Sequence, residues 1–161
     1  MIFSPPSEVL LNVPHLMQKN PGECLAACAS MVCEYNGVSI RYNRIVRTLE
    51  TIMHAGTAFY NIEQLTKLNI QVYYQKNGSL ENLYEFLQGG WPCIVGVETY
   101  NLPHWQKVNT PHAVVVIGMA PQHIYLNDPA FPQSIFNTSL GEFDLAWFEK
   151  DEEFAVLGTR K

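Results

Sequence analysis

The sequence predicts an α+β fold in which a buried N-terminal helix packs on a mostly antiparallel sheet. Residues 25–35 (LAACASMVCEY) are apolar on nearly every helical face and are soon followed by Gly37, a residue typical of helix ends. A helix without a polar face is expected in the middle of a domain. Amphipathic helical segments follow in the first half, whereas short β-branched and aromatic runs dominate the second half. This order, helices first and strands second, is the α+β order.

The periodicity of apolar residues predicts the individual elements. Apolar residues recur every three or four positions in three segments, which predicts helices at residues 40–50, 57–68 and 80–88. Short runs bounded by Gly, Pro and Asn predict five strands, at residues 70–75, 92–98, 112–119, 123–128 and 154–158. Ser139 followed by Glu142 predicts a capping box ahead of a last helix at residues 143–150.

Length, charge and cysteine spacing limit the class of protein. The chain has 161 residues, 47% of them hydrophobic, so we expect residues 1–161 to form a single domain. The net charge of -5 and the lack of a basic stripe argue against a nucleic-acid partner. No signal peptide or membrane segment is expected, because the first residues contain three prolines and no long apolar run. Three of four cysteines crowd into one predicted helix, which favours free thiols in a reducing, cytoplasmic location.

Cys24 is the candidate nucleophile. It directly follows the predicted turn at residues 21–23, so it falls in the first turn of the buried helix. Unpaired N–H groups and the helix dipole favour an anion there, which lowers the pKa of a thiol. Cys28, Cys33 and Cys93 are expected to pack in the core, which is the common role of a free cysteine. No metal or cofactor is expected, since the cysteine spacing does not fit a zinc site or a redox motif.

His112 is the candidate base, because it opens a predicted strand where the chain leaves a polar loop. If the following hairpin is centred on Ala120, His112 lies directly opposite Asp128. Opposed Cβ atoms are about 4.5–5.5 Å apart, so the carboxylate would orient the imidazole. A turn centred half a residue earlier would place Asn127 opposite His112 instead, and Asn can also orient such a ring.

Gln18 is the candidate oxyanion donor, in a loop expected to fold back to the start of the buried helix. It stands six residues before Cys24, and its amide together with the Cys24 N–H would supply two donors. A glutamine in a loop is otherwise a solvated surface residue. His104 could line the cleft, but no hairpin places a carboxylate beside it. We expect it to be structural, together with the remaining histidines at positions 15, 54 and 123.

These residues resemble a known family. Residues 13–38 (VPHLMQKNPGECLAACASMVCEYNGV) resemble the opening of bacteriocin-processing (double-glycine leader) cysteine peptidase domains and their free-standing papain-like relatives. The shared features are the Gln-to-Cys spacing, a second cysteine in the helix and a glycine at its end. The similarity extends over most of the chain, through residues 56–74, 89–98, 112–130 and 139–148.

The resemblance implies a papain-like fold and a cysteine peptidase that hydrolyses a peptide or protein substrate. It implies that Cys24 is the nucleophile, His112 the general base, Asp128 its partner and Gln18 the oxyanion donor. Two other functions remain open from the residues: a papain-like acyl transferase or amidase with the same groups, and a catalytically silent peptide-binding module. The silent modules commonly lack the Cys or the His, and both are present here.

The chain departs from the family pattern at two positions next to the nucleophile. The family usually has Asp or Asn before the Cys and Gly after it, whereas Glu23 and Leu25 stand here. We expect Leu25 to reshape the substrate groove. Exporter-linked members also carry a membrane part and an ATPase, so a separate transporter or regulator is an expected partner. Four apolar residues are candidates for groove walls and otherwise cap the core: Trp91, Tyr100, Leu102 and Trp105.

Overall fold

The structure, a computed structural model, describes residues 2–52 and 55–159, so His54 lies outside the described residues. The helices are α1 (Cys24–Tyr35), α2 (Tyr42–Thr48), α3 (Leu80–Gln88) and α4 (Leu140–Phe148). Three 3₁₀ segments span Phe59–Leu68, Thr99–Asn101 and Pro103–Trp105. The strands are β1 (Val9–Leu10), β2 (Ile70–Gln75), β3 (Cys93–Glu98), β4 (Pro111–Met119), β5 (His123–Asn127), β6 (Phe136–Ser139) and β7 (Phe154–Thr159).

The strands form one antiparallel sheet with helices on both faces. The strand order is β2-β7-β3-β4-β5-β6, and β1 pairs with β4. Helix α1 packs on one face, where Val115 and Ile117 of β4 belong to its core cluster. Helices α3 and α4 pack on the other face, against Val114 and Val116. The predicted α+β order and the buried N-terminal helix are therefore confirmed.

Local sequence signals explain most element boundaries. Helix α1 ends ahead of Gly37, whose φ of 75° is a left-handed conformation that glycine adopts without strain. Half of the predicted capping box of the last helix is present: Ser139 Oγ accepts a hydrogen bond from the Glu142 N–H at 3.1 Å, whereas the Glu142 carboxylate accepts from the Ser139 hydroxyl and not from its backbone N–H. This cap starts α4 three residues earlier than expected.

One predicted helix has a different type in the structure, and two strands were not predicted. Residues 59–68 form a 3₁₀ helix, in which the buried Ile62 and Leu65 are three residues apart, the spacing that aligns side chains in this helix type. Strand β1 has only two residues, and β6 (FNTS) is a short, polar edge strand without alternating apolar residues. Neither of these strands has the pattern that identifies a strand in sequence.

The β4–β5 hairpin has a different register from the predicted one. Its turn is Pro121-Gln122, closed by hydrogen bonds between Ala120 and His123, because proline favours the first central position of a turn. A bulge near Val116 then shifts the pairing, so that Val115 lies opposite Asn127. The predicted direct opposition of His112 to Asp128, or to Asn127, is therefore wrong.

No helix in the described ranges has both the length and the apolar character needed to cross a bilayer.

Candidate active site

Cys24 is the first residue of α1, at the end of the helix where backbone N–H groups point outward. The preceding loop passes close to another segment at Gly22, where a Cβ would lie 2.9 Å from the Gly56 nitrogen. Burial would raise the pKa of the Cys24 thiol, but a hydrogen bond from His112, the imidazole charge and the backbone N–H groups of Ala113 and Leu25 together lower it. The pKa of this thiol is thus below that of an ordinary cysteine, which increases its thiolate fraction.

His112 lies near the start of β4 and is buried, with its Nε2 2.7 Å from Asp128 Oδ1. Since Nε2 faces the carboxylate, Nδ1 is the ring nitrogen left for the thiol of Cys24. Burial alone would lower the pKa of His112, but the hydrogen bonds and charges of Asp128 and Cys24 raise it to about 9. The pair therefore favours imidazolium beside thiolate.

Asp128 reaches His112 diagonally, although the two residues are not paired. If the register continued beyond β5, Asp128 would lie beside Val114, two residues from His112 on the same face of β4. Diagonal neighbours on a sheet are close enough for long side chains to meet. Asn127 turns away from the site, since its Nδ2 donates to the Val13 carbonyl at 3.1 Å. The structure thus joins His112 to Asp128 by a route that the simple hairpin did not predict.

The Asp128 carboxylate is fully buried and accepts four hydrogen bonds. Its Oδ2 lies 2.8 Å from His104 Nε2 and 2.9 Å from Trp105 Nε1. Its Oδ1 accepts from His112 and from the Ala130 N–H at 3.0 Å. Burial would raise the pKa of this carboxyl, but the hydrogen bonds of His104 and His112 and the charge of His112 hold it well below its usual range. The group is therefore a fixed anion.

His104 contacts the Asp128 carboxylate, a role that was not predicted from the sequence. It lies in the 3₁₀ segment Pro103–Trp105, and its ring stacks on Phe136 with centroids 4.0 Å apart. The expectation that it has no carboxylate partner is wrong, because a strand end and a distant loop, not a hairpin, bring it to Asp128. The only sequence signal for this contact was the adjacent His104 and Trp105 in a loop that begins with proline, and that signal did not identify Asp128 as their partner.

Gln18 lines the same cleft as Cys24 and His112, a cavity of about 430 Å³. Its backbone N–H donates to the Pro129 carbonyl at 2.8 Å, which ties this loop to the residue after Asp128. Its Nε2 donates to the Asn20 carbonyl at 3.1 Å, which uses one of its two hydrogens and leaves the other. The predicted donor therefore lies at the cleft with a hydrogen to spare.

The two departures from the family pattern have different surroundings. The Glu23 carboxylate does not cap α1; it accepts hydrogen bonds from Asn20 and from the Tyr42 hydroxyl, and so braces the loop that contains Gln18. Leu25 packs in the α1 core and also lines the cleft. Its side chain therefore contributes to the wall of the groove next to the thiol.

Only one of the four candidate groove walls, Trp105, lines the cleft. Leu102 is buried in the core of the opposite sheet face, and the side chain of Tyr100 is half exposed. Trp91 lines a separate groove beside Tyr73. The residues that form the cleft come mainly from loops and strand ends distant in sequence.

Alkylation with iodoacetamide at slightly acid pH is expected to modify Cys24 well before the other cysteines. All four are free thiols, but only Cys24 is not buried. Burial raises the pKa of Cys33 to about 11 and that of Cys28 and Cys93 as well, whereas the pKa of Cys24 is lowered. Peptide mapping by mass spectrometry measures the order of labelling, and denatured protein is the control. Equal labelling of the four thiols in the folded protein would contradict an activated Cys24.

Comparison with known proteins agrees with this geometry. Residues 10–150 match the model of the Peptidase_C39 like family. No curated protein matches the sequence. A protein from Bacillus anthracis described as a C39-like peptidase superposes with a TM-score of 0.77 at 17% identity, over 96% of this chain and 98% of that one.

Two other similar structures are peptidase domains of transporters. The double glycine motif protease of an AMS/PCAT transporter, solved with its leader peptide, has a TM-score of 0.73 at 20% identity, over 97% of this chain and 100% of that one. The peptidase domain of Streptococcus ComA, a bifunctional ABC transporter of a quorum-sensing pathway, has a TM-score of 0.73 at 18% identity, over 92% of this chain and 100% of that one. The predicted papain-like cysteine peptidase fold is confirmed. The chain belongs to the Peptidase_C39 like family and is a cysteine peptidase.

Proposed function

We propose that residues 1–161 act as a single peptidase domain that hydrolyses peptide bonds through Cys24, His112 and Asp128, with Gln18 as oxyanion donor. One observation carries this proposal: a buried carboxylate lies 2.7 Å from the imidazole that lowers the pKa of the Cys24 thiol. Cys24, His112 and Gln18 all line one cleft large enough for a peptide segment. This combination meets the requirements of nucleophilic catalysis by a thiolate.

In the first half of the reaction, the Cys24 thiolate attacks the carbonyl carbon of the scissile peptide bond. The carbonyl oxygen becomes an oxyanion, which accepts hydrogen bonds from the Cys24 N–H and from Gln18 Nε2. Each such donor contributes on the order of 3 kcal/mol to the stability of the transition state. The intermediate collapses as the C–N bond breaks, and His112 gives its Nδ1 proton to the leaving amine. The products are a free amine and a thioester on Cys24.

In the second half, water attacks the thioester. The neutral His112 takes a proton from that water, the C–S bond breaks, and the carboxylic acid leaves with thiolate and imidazolium restored. Asp128 keeps its charge throughout and holds the ring so that Nδ1 faces the sulfur. His104 and Trp105 hold Asp128 Oδ2, which keeps Oδ1 directed at His112. They are therefore positioning residues for the carboxylate.

We also propose a class of partner and a cellular location for this reaction. Two of the similar structures are peptidase domains of transporters, and one holds a leader peptide, which supports a peptide substrate and a separate transporter or regulator as partner. The three buried cysteines are free thiols, a state that is typical of proteins in the reducing cytoplasm. We therefore place the proposed reaction in the cytoplasm.

A diverse peptide library incubated with the protein in ¹⁸O-labelled water is the test of the proposed hydrolysis. We expect fragments whose new carboxyl groups contain ¹⁸O, because water resolves the acyl-enzyme, and a transient adduct in the intact-mass spectrum. The Cys24→Ala protein is the control and should give neither. If the acyl-enzyme adduct forms but no fragment contains ¹⁸O, and acyl groups are instead found on amines added to the reaction, the protein is an acyl transferase. Absence of both adduct and fragments would indicate a silent module.

A further inference from the structure

Glu153 is a buried carboxylate in the cleft that the proposed mechanism does not use. It lines the same cavity as Cys24, and its side chain is only partly accessible, since the residue is 8% exposed. In the described ranges, no Lys, Arg or His nitrogen lies within ion-pair distance of it. A buried carboxylate without a cation is unfavourable, so its presence beside a substrate cleft requires an explanation.

The position of Glu153 is held firmly. Its Oε2 accepts a hydrogen bond from the Tyr74 hydroxyl at 2.9 Å. Its backbone carbonyl accepts from Trp147 Nε1 at 2.9 Å and from the Gly96 N–H at 3.3 Å. The carboxylate is therefore oriented before any ligand arrives, and Oε1 has free lone pairs for a donor.

Gly96 makes room for this carboxylate. It lies in β3, between β7 and β4, where a glycine weakens a strand and often marks a close approach. A Cβ at Gly96 would lie 2.9 Å from Glu153 Oε1 and 3.2 Å from its Cγ. Any other residue here would displace the Glu153 side chain, so the glycine and the carboxylate form one local unit.

This unit lies near the proposed nucleophile. Gly96 pairs with Ala113 of β4, and the Ala113 backbone N–H is one of the groups that lower the pKa of Cys24. One cross-strand step is about 5 Å, and an extended peptide advances about 3.4 Å per residue. With the lengths of the Cys24 and Glu153 side chains added to this step, the carboxylate is about two or three residues from a carbonyl attacked by Cys24.

The positive charges around Glu153 are too distant to neutralise its carboxylate. Burial raises the pKa of Glu153, whereas the Tyr74 hydrogen bond and the more distant charges of Lys150 and Lys76 lower it, and Asp151 raises it further. Lys150 lines the same cleft but forms no ion pair with it. A guanidinium or ammonium group that entered the cleft would supply the missing donor and charge.

We infer that Glu153 and Gly96 form a substrate subsite that selects a basic side chain, arginine or lysine, about two or three residues from the scissile bond. This inference rests on the proposed function for the position of that bond. The long stem of Arg or Lys crosses the apolar part of the cleft, and the cationic head binds Glu153 Oε1. The substrate class is therefore a peptide with a basic residue close to the cleavage site.

Binding to the Cys24→Ala protein tests the subsite without any need for turnover. Octapeptide mixtures with Arg fixed at one position are compared with the same mixtures containing citrulline, the neutral isostere, by affinity selection and mass spectrometry. We expect Arg at one position to improve retention about tenfold, the size of one charge-assisted hydrogen bond. In Cys24→Ala/Glu153→Gln this difference should vanish. The exposed Glu149→Gln change, which removes the same charge outside the cleft, should preserve it.

The outcomes separate this inference from the proposed function. An Arg preference that persists in Glu153→Gln, or no preference at any position in Cys24→Ala, overturns the subsite whether or not the wild type cleaves peptides. If the wild-type protein cleaves no peptide while the Glu153-dependent preference for Arg is present in Cys24→Ala, the proposed hydrolysis is overturned and the subsite is not. If Glu153→Gln does not fold, as judged by circular dichroism, Gly96→Ala provides the second test. The alanine Cβ would lie 2.9 Å from Glu153 Oε1 and displace that carboxylate, so Gly96→Ala should also remove the preference for Arg. Retention of the preference in Gly96→Ala overturns the subsite.

Discussion

Cys24→Ala is expected to lower kcat/KM for peptide cleavage by roughly 10⁴-fold or more, since removal of a nucleophile from a triad removes the covalent route. The thiol of Cys24 is half-buried at the start of α1, and His112 lowers its pKa. Initial rates on one fluorogenic peptide, taken from the library hits, measure the effect. Binding of the same peptide to the variant should remain, because alanine leaves the cleft open.

Cys28→Ala is the matched control for this prediction. Cys28 lies one helical turn further into α1, is fully buried, and has a pKa well above the ordinary thiol value because of burial and the nearby charges of Cys24 and Asp128. Its replacement should lower the melting temperature slightly and leave the rate of cleavage nearly unchanged. If Cys28→Ala abolished cleavage while Cys24→Ala did not, the nucleophile would have to be moved by one turn of the helix.

Asp128→Asn is expected to lower the rate of cleavage by about 10⁴-fold, the effect of the same change in a Ser-His-Asp triad. An asparagine has no charge to hold the imidazolium, and its NH₂ group competes for His112 Nε2. It also weakens the contacts with His104 and Trp105. The rate of peptide cleavage and the melting temperature, measured together, distinguish a loss of catalysis from a loss of folding.

The pH profile gives this variant a second and more specific readout. In the wild type, kcat/KM should fall on the basic side near pH 9, because His112 loses its proton there and can no longer protonate the leaving amine. Asp128 is one of the groups that raise this pKa, so Asp128→Asn should move the basic limb to lower pH, toward the ordinary imidazole value of about 6.5. An unchanged basic limb would show that Asp128 does not act on His112.

Asn127→Ala is the control for position. Asn127 is buried and its side chain donates to Val13 O, away from His112. We expect it to reduce stability, because the Val13 carbonyl loses its donor, and to leave the basic limb near pH 9 in place. A larger loss of kcat/KM in Asn127→Ala than in Asp128→Asn would reverse the proposed roles of these neighbours.

The elements with strong local signals were predicted closely. The strand at 70–75 has the expected bounds, and α1 ends just ahead of Gly37, which adopts a left-handed conformation. A capped helix after Ser139 is also confirmed. The signals that predict these features lie within a few positions of one another, although the strand itself forms only by pairing with β7.

Two of the failed predictions, the register of β5 and the role of His104, required knowledge of distant contacts. The bulge near Val116 depends on pairing between strands, and it changed the residue opposite every later position of β5. His104 finds Asp128 only when the loop after β3 folds over the end of β5. No periodicity or spacing encodes such a contact, because the two residues are 24 positions apart, one in a short 3₁₀ segment and the other just after the end of β5.

Residue types and spacing alone predicted three features: a cysteine at the start of a helix, a histidine at the start of a strand, and the α+β order. Each of them depends on the local preferences of short segments of the chain. The four hydrogen bonds to Asp128, the diagonal reach to His112 and the carboxylate of Glu153 over Gly96 were not readable. They arise when loops and strand ends distant in sequence pack against one sheet. Burial then sets their charges, since a pKa depends on the surrounding groups and not on the residue type alone.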